Sequence, residues 1–185
     1  MAILSAFNFI TLNGYFQGPQ AGDISWHHHD SDAAEYSAKA SGQEHILLFG
    51  HTTYDMMASF WPTDMAAQQF PEVARNMNAA EKVVVSRTLD KADWAHTRVI
   101  NDNVVENIRA LKQGSKPITI LGSGSILSLC AEHGLLDQLV VMIDPVALGE
   151  GFPIFKGVSK PLKMELKESR VFDRSGIVLL TYKVF

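Results

Sequence analysis

The chain has 185 residues, 46% of them hydrophobic and 19% charged, and a formal net charge of −4. That composition excludes wholesale disorder, and the negative balance argues against a general nucleic-acid binder. The single cysteine, Cys130, excludes an intramolecular disulfide framework and a Cys-rich zinc site. With no apolar run near the ~20 residues of a membrane span and no basic n-region at the start, the expectation is one cytoplasmic domain over residues 1–185, with no membrane partner.

Residues 2–10 are almost wholly apolar and read as a buried strand, broken by Asn13-Gly14. A loop follows over 19–23. Asp30 or Asp32 can cap a helix over about 33–41, with Glu35 three residues after Asp32 and Gly42 at its end. Residues 45–49 form the next buried strand. A short helix starts at Thr52 or Thr53 and ends at Trp61-Pro62, because the residue before proline is pushed out of helical geometry. Residues 63–80 are weakly helical. Strands are predicted over 82–85 and 97–100, then a helix with Val104, Val105, Ile108 and Leu111 on one stripe. Residues 118–121 are a buried strand, and Gly122-Ser123-Gly124 opens a helix over 125–132. Beyond Leu135 the texture changes. Residues 139–143 and 177–184 read as strands, 148–153 as a glycine-rich loop, and 162–169 and 171–174 alternate apolar and polar. The first two thirds therefore predict parallel strands covered by helices and the last third antiparallel strands, which one α/β domain with a mixed sheet accommodates.

Three strand ends carry polar groups suited to an anion. Gly122-Ser123-Gly124-Ser125-Ile126 follows an apolar strand and opens a helix, so bare backbone and unpaired N–H groups could cradle a phosphate. It is neither GxGxxG nor a P-loop, and a tight strand-to-helix turn explains it equally well. Gly50-His51-Thr52-Thr53 repeats the arrangement, as a phosphate contact or a plain helix cap. Ser86-Arg87-Thr88 adds a cation at a third strand end, or a surface arginine. Ligands of such sheets sit outside the carboxyl ends of the strands.

Taken in order, Leu12-Asn13-Gly14, Gly50-His51-Thr52-Thr53-Tyr54, Trp61-Pro62, residues 82–89, residues 120–125, residues 134–139 and residues 145–151 resemble the dihydrofolate reductase-like superfamily. Within it they are most similar to the branch of the C-terminal reductase domain of the bifunctional riboflavin-biosynthesis deaminase–reductase. The resemblance implies a three-layer α/β fold with a mixed, mostly parallel sheet, binding NADPH across the strand ends. It implies that Gly50, His51, Thr52 and Thr53 sit by the cofactor phosphates, with His51 where arginine is usual. By the same resemblance Ser86, Arg87 and Thr88 lie near the adenosine phosphate, and Gly122, Ser123 and Gly124, with Ser125 and Ile126, cradle the pyrophosphate. Homodimerisation through the late sheet is a further implication.

The resemblance places the acid or substrate anchor in residues 26–35, where Asp30, Asp32 and Glu35 are candidates. The family's first loop usually carries aspartate, and Asn13 stands there; it can hold a hydrogen bond but cannot act as a carboxylate. His27-His28-His29 reads as an exposed loop, a substrate-mouth histidine or part of a metal site. Trp26, Phe60 and Trp61 could line an aromatic pocket or pack in the core. Cys130 reads as a small buried hydrophobe. The leading expectation is an NADPH-dependent reductase of a small heterocyclic, pteridine- or pyrimidinone-like substrate. A dihydrofolate reductase or pyrimidinone reductase proper is the narrower alternative, against which His51 and Asn13 weigh. A non-catalytic dinucleotide-binding module is the third. An open polar pocket beside Gly122 would favour an enzyme; filling by Trp26 or Phe16 would favour the module.

Overall fold

The computed structural model describes residues 1–28 and 31–185. The chain opens with β1 (Leu4–Thr11) and β2 (Tyr15–Gln17), then α1 (Ser31–Ser41), β3 (Ile46–Gly50), α2 (His51–Phe60), α3 (Asp64–Gln69), α4 (Pro71–Ala79) and β4 (Glu81–Val85). It continues with β5 (Thr97–Ile100), α5 (Val104–Lys112), β6 (Ile118–Leu121), α6 (Gly124–Glu132), β7 (Gln138–Asp144), β8 (Phe152–Pro153), β9 (Met164–Phe172) and β10 (Ile177–Val184). Among the described residues, eight strands form one sheet in the order β5-β4-β3-β6-β1-β7-β10-β9. β5 through β7 in that order are parallel, and β10 and β9 are antiparallel. β2 and β8 make a separate two-stranded flap.

The predicted α/β fold with a mixed, mostly parallel sheet and antiparallel C-terminal strands is the one observed. The central strands are continuous apolar runs because helices bury both faces. On one face Leu4, Ala6, Leu48, Ile118 and Ile120 pack with Ile108 of α5 and Ile126, Leu127 and Cys130 of α6. On the other, Leu47, Phe49 and Val84 pack with Tyr54, Met77 and Trp94, while Ala33 of α1 joins Met142, Phe172 and Leu179. Cys130 is buried, and burial pushes its thiol up to about 12. The predicted weak helix over 63–80 is two helices, with Thr63 accepting the Ala66 N–H as cap and Pro71 opening α4. The two alternating segments after residue 162 are one strand, β9, exposed along most of its length at the sheet edge.

Lys82, read from sequence only as a strand residue, is fully buried. Its ammonium donates to the carbonyls of Met77 (2.9 Å), Asn78 (3.2 Å) and Ala80 (2.6 Å) at the end of α4 and lies 4.5 Å from the Trp94 ring centroid. Burial pushes its pKa down to about 8, which leaves it protonated at neutral pH. It closes a helix end whose last carbonyls lack intrahelical partners, and it ties α4 to β4. Lys82→Met fills the same space without a donor and strands those carbonyls. We expect a loss of about 2 kcal/mol, read by urea unfolding at pH 7; unchanged stability would show that the ammonium merely tolerates its site.

Candidate active site at the carboxyl ends of the parallel strands

The parallel strands all deliver their carboxyl ends to one edge, so β4, β3, β6, β1 and β7 present their following loops side by side. α2 and α6 start there, at Gly50 and Ser123, and neither has a side-chain cap. Their first-turn N–H groups therefore face the edge as a positive end. The two starts are bonded together: the Gly50 N–H donates to Ser123 Oγ at 2.9 Å, and the buried Thr53 hydroxyl reaches the Gly122 carbonyl at 3.4 Å. Ser123 and Thr53 thus hold the frame, while Thr52 and Ser125 are exposed on it. Gly122 turns with φ +65°, a conformation L side chains rarely adopt.

The next pair of strand ends is joined through His51. Its Nδ1 lies 3.1 Å from Ser86 Oγ and 3.2 Å from Thr88 Oγ1, and its Nε2 lies 3.3 Å from Asp55. Asp55 only accepts, so in the neutral ring Nε2 carries the hydrogen and Nδ1 takes one from a hydroxyl. This Ser–His–Asp string is not a nucleophile array. Ser86 is buried, and its oxygen already accepts the backbone N–H groups of Thr88 and Leu89. Ser86 fixes the turn that presents Arg87, which is exposed at the end of β4.

On the other side of β6, the first loop is tied down by Asn13. Asn13 Oδ1 accepts from Thr11 Oγ1 (2.9 Å) and the Leu148 N–H (3.2 Å), and Nδ2 donates to the Leu148 carbonyl (2.7 Å). Its amide is committed to joining the loops after β1 and β7. The β2–β8 flap follows, and its Phe16 ring packs so closely on Gly124 that a Cβ there would lie 2.8 Å from the ring. The start of α6 is thus covered by Phe16. Grooves of about 400 Å³ (Phe155 to Met164) and 240 Å³ (around His45 and Lys116) lie elsewhere.

Of the acidic candidates, Asp30 lies outside the described residues, as does His29 of the histidine run. Asp32 stands in the first turn of α1. Glu35 pairs with Lys39 on the exposed side of α1, its Oε1 2.6 Å from the ammonium. The carboxylate that sequence reasoning missed is Asp144. It closes β7, is fully buried, and lies in register with Thr11. His27 Nδ1 bonds it at 2.8 Å, the His28 N–H at 2.8 Å and His28 Nδ1 at 3.1 Å. The His27 ring stacks on Phe9 with centroids 3.7 Å apart. The histidine run therefore pins the 18–28 loop to β7. The signal available in the sequence was an aspartate ending an apolar strand, where a charge requires partners.

A family model described as the RibD C-terminal domain matches residues 2–178. The chain belongs to the RibD C-terminal domain family. A curated relative is the uncharacterized protein YyaP of Bacillus subtilis (strain 168), 29% identical over 174 residues, 94% of this chain and 90% of that one. Among solved structures, a putative riboflavin biosynthesis protein from Shewanella sp. PV-4 superposes with a TM-score of 0.74 at 20% identity, covering 100% of this chain and 99% of that one. Dihydrofolate reductase from Enterococcus faecalis, complexed with NADP(H) and RAB-propyl, does so with a TM-score of 0.65 at 18% identity, covering 98% and 96%. The RibD C-terminal domain assignment and the dihydrofolate reductase-like fold agree with what the motifs imply.

Burial pushes the Asp144 carboxyl toward its neutral form, but the bonds from the His27 ring and the His28 backbone outweigh that and hold it below its ordinary value of 3.8. A depressed folded value makes its contribution fully present above the ordinary value and lost as pH falls through the folded one. We expect Asp144→Asn to lose about 2 kcal/mol at pH 7. Melting both proteins from pH 7 downward checks this: their difference should hold to about pH 4 and shrink below it. A gap that widens on acidification contradicts the assignment.

Proposed function

We propose that the protein is an NADPH-dependent reductase that transfers a hydride to a small heterocyclic, pteridine- or pyrimidinone-like substrate. The observation that carries this reading is the joined pair of uncapped helix starts, α2 and α6, held together by the Gly50–Ser123 bond at the carboxyl edge of a RibD C-terminal domain. Unpaired N–H groups at two helix starts suit a pyrophosphate. Gly122, Ser123, Gly124, Ser125 and Ile126 would line its α6 side, and Gly50, His51, Thr52 and Thr53 its α2 side. Arg87, presented between Ser86 and Thr88, would meet a 2′-phosphate with a charge-assisted bond. The residues present fit the group by their chemistry: bare backbone, hydroxyls and one exposed cation.

When bound, NADPH supplies the hydride; the chain supplies placement of the acceptor against it. Asn13 contributes by fixing the loop over the acceptor side. The accompanying proton comes from water or from the 26–35 segment, in which Asp30 and Asp32 are the acids on our reading. The Phe16–Gly124 contact favours a second reading, a dinucleotide-binding protein without chemistry whose site is kept covered.

Calorimetric titration with NADPH and NADH at two salt concentrations tests the first reading. We expect NADPH to bind more tightly, to weaken with salt, and to lose about ten-fold in Arg87→Ala while NADH changes little. Folded protein that takes up neither nucleotide would overturn it. Phe16→Ala separates the two readings. An enzyme whose aromatic flap orders the bound ring should bind NADPH equally or less tightly in the variant, whereas a covered site should gain about ten-fold.

A further inference from the structure

β1 outruns β6. The ladder between them ends at Phe7–Leu121, with the Gly122 N–H donating to the Phe7 carbonyl at 3.1 Å. From Asn8 to Thr11, β1 pairs with β7 alone. Asn8 is therefore the first residue of β1 beyond the point where the two strands part, beside the Gly122–Ser123 turn that opens α6. It lies on the face of β1 that carries Leu4, Ala6 and Ile10, against the layer containing α6.

Asn8 is 2% exposed, and its Oδ1 is buried with no hydrogen-bond partner. An amide in an otherwise apolar stretch of a central strand is an unfavourable choice unless something answers it, because a buried acceptor without a donor forfeits its solvation. The other buried polar side chains that we have described at this edge are answered by the protein itself: Thr11 by Asn13 and Tyr15, Thr53 by Gly122, Ser123 by Gly50, Ser86 by Thr88 and Leu89, and Asp144 by His27 and His28. Asn8 is the exception, and it stands where the sheet parts.

We propose that Asn8 is a cofactor-recognition residue whose side-chain carbonyl accepts an N–H from the carboxamide of the nicotinamide ring. This rests on the NADPH reading above. A ligand that lays its pyrophosphate on the start of α6 reaches toward β1 with its other end, and the turn at Gly122 joins those two places. A primary amide suits the orphaned atom: it brings N–H donors on a flat group, and amides pair with one bond in each direction. Asn8 thereby selects the nicotinamide end of the dinucleotide, separately from the phosphate contacts of Arg87 and the helix starts.

The test uses three ligands with the full-length protein, read as dissociation constants. They are NADP+, its 3-acetylpyridine analogue, in which the carboxamide NH2 is a methyl group, and 2′-phospho-ADP-ribose, which lacks the nicotinamide ring. We expect the wild type to prefer NADP+ over the analogue by about ten-fold. In Asn8→Leu that preference should collapse to within about two-fold, with the affinity for 2′-phospho-ADP-ribose unchanged. If leucine prevents folding, Asn8→Ala makes the same comparison. A preference that persists in the folded variant overturns the role of Asn8 and leaves the reductase reading standing. Folded wild type that binds neither NADP+ nor 2′-phospho-ADP-ribose overturns both.

Discussion

The length mismatch between β1 and its neighbour β6 is the constraint from which the site follows. β1 is a strand with parallel partners on both sides, and its register with β7 continues four residues past its last pair with β6. That overhang sets Thr11 beside Asp144 and carries the first loop over the edge to meet Leu148 and Ile154. It also leaves one flank of β1 without a strand. A sheet with strands of matched length would close that flank. The face of β1 that carries Leu4, Ala6 and Ile10 is fully buried and the other only half-buried, so a one-residue slip would turn that apolar set out of the core; the overhang is therefore built in firmly.

The electrostatics of the edge come mainly from backbone. The chain is negative overall, and most side chains that sequence motifs offered as ligands turn out to serve the frame. Thr53 and Ser123 bond neighbouring segments, Ser86 holds its own turn, and His51 bridges Ser86, Thr88 and Asp55. What faces outward is Thr52, Ser125 and Arg87 beside the two helix starts, that of α6 lying under Phe16. Such a site favours an anion through fixed dipoles with little reorganisation. On the proposed reading, His51 standing where the resemblance implies arginine leaves one cation fewer for the phosphates and makes Arg87 correspondingly more important.

Long elements were legible in the sequence because burial writes them directly: uninterrupted apolar runs for parallel strands, and a 3.6-residue stripe for α5. The two-residue β8 and three-residue β2 were not, since neither is long enough to show a period, and their pairing is decided by the approach of two loops. For the same reason the seat of Phe16 on Gly124 was foreseeable only as a possibility for an aromatic near a glycine turn. Lys82 and Asp144 were passed over because sequence patterns assign charges to surfaces. Each is buried only because a specific set of partners, three carbonyls for one and two histidines for the other, comes from segments that the fold brings in.

Asn13 shows how a departure from a family motif can be structural. Its Nδ2 donates to the Leu148 carbonyl, a bond that an aspartate could not make, and its Oδ1 takes the Leu148 N–H in return. A carboxylate at this position would set two acceptors against each other. The loop after β7 is thus held by an amide, and on the proposed reading the acid near the acceptor has to come from other residues. The loop from residue 18 to residue 28 is drawn onto β7 by Asp144, and α1 begins three residues later with Asp32 in its first turn. Asp144 is held by its two histidines and has no hydrogen to give while ionised. Its effect on any proton transfer is therefore through the placement of that segment, which makes the His27–Asp144–His28 clamp the link between the frame of the sheet and the side of the site where a substrate would be protonated.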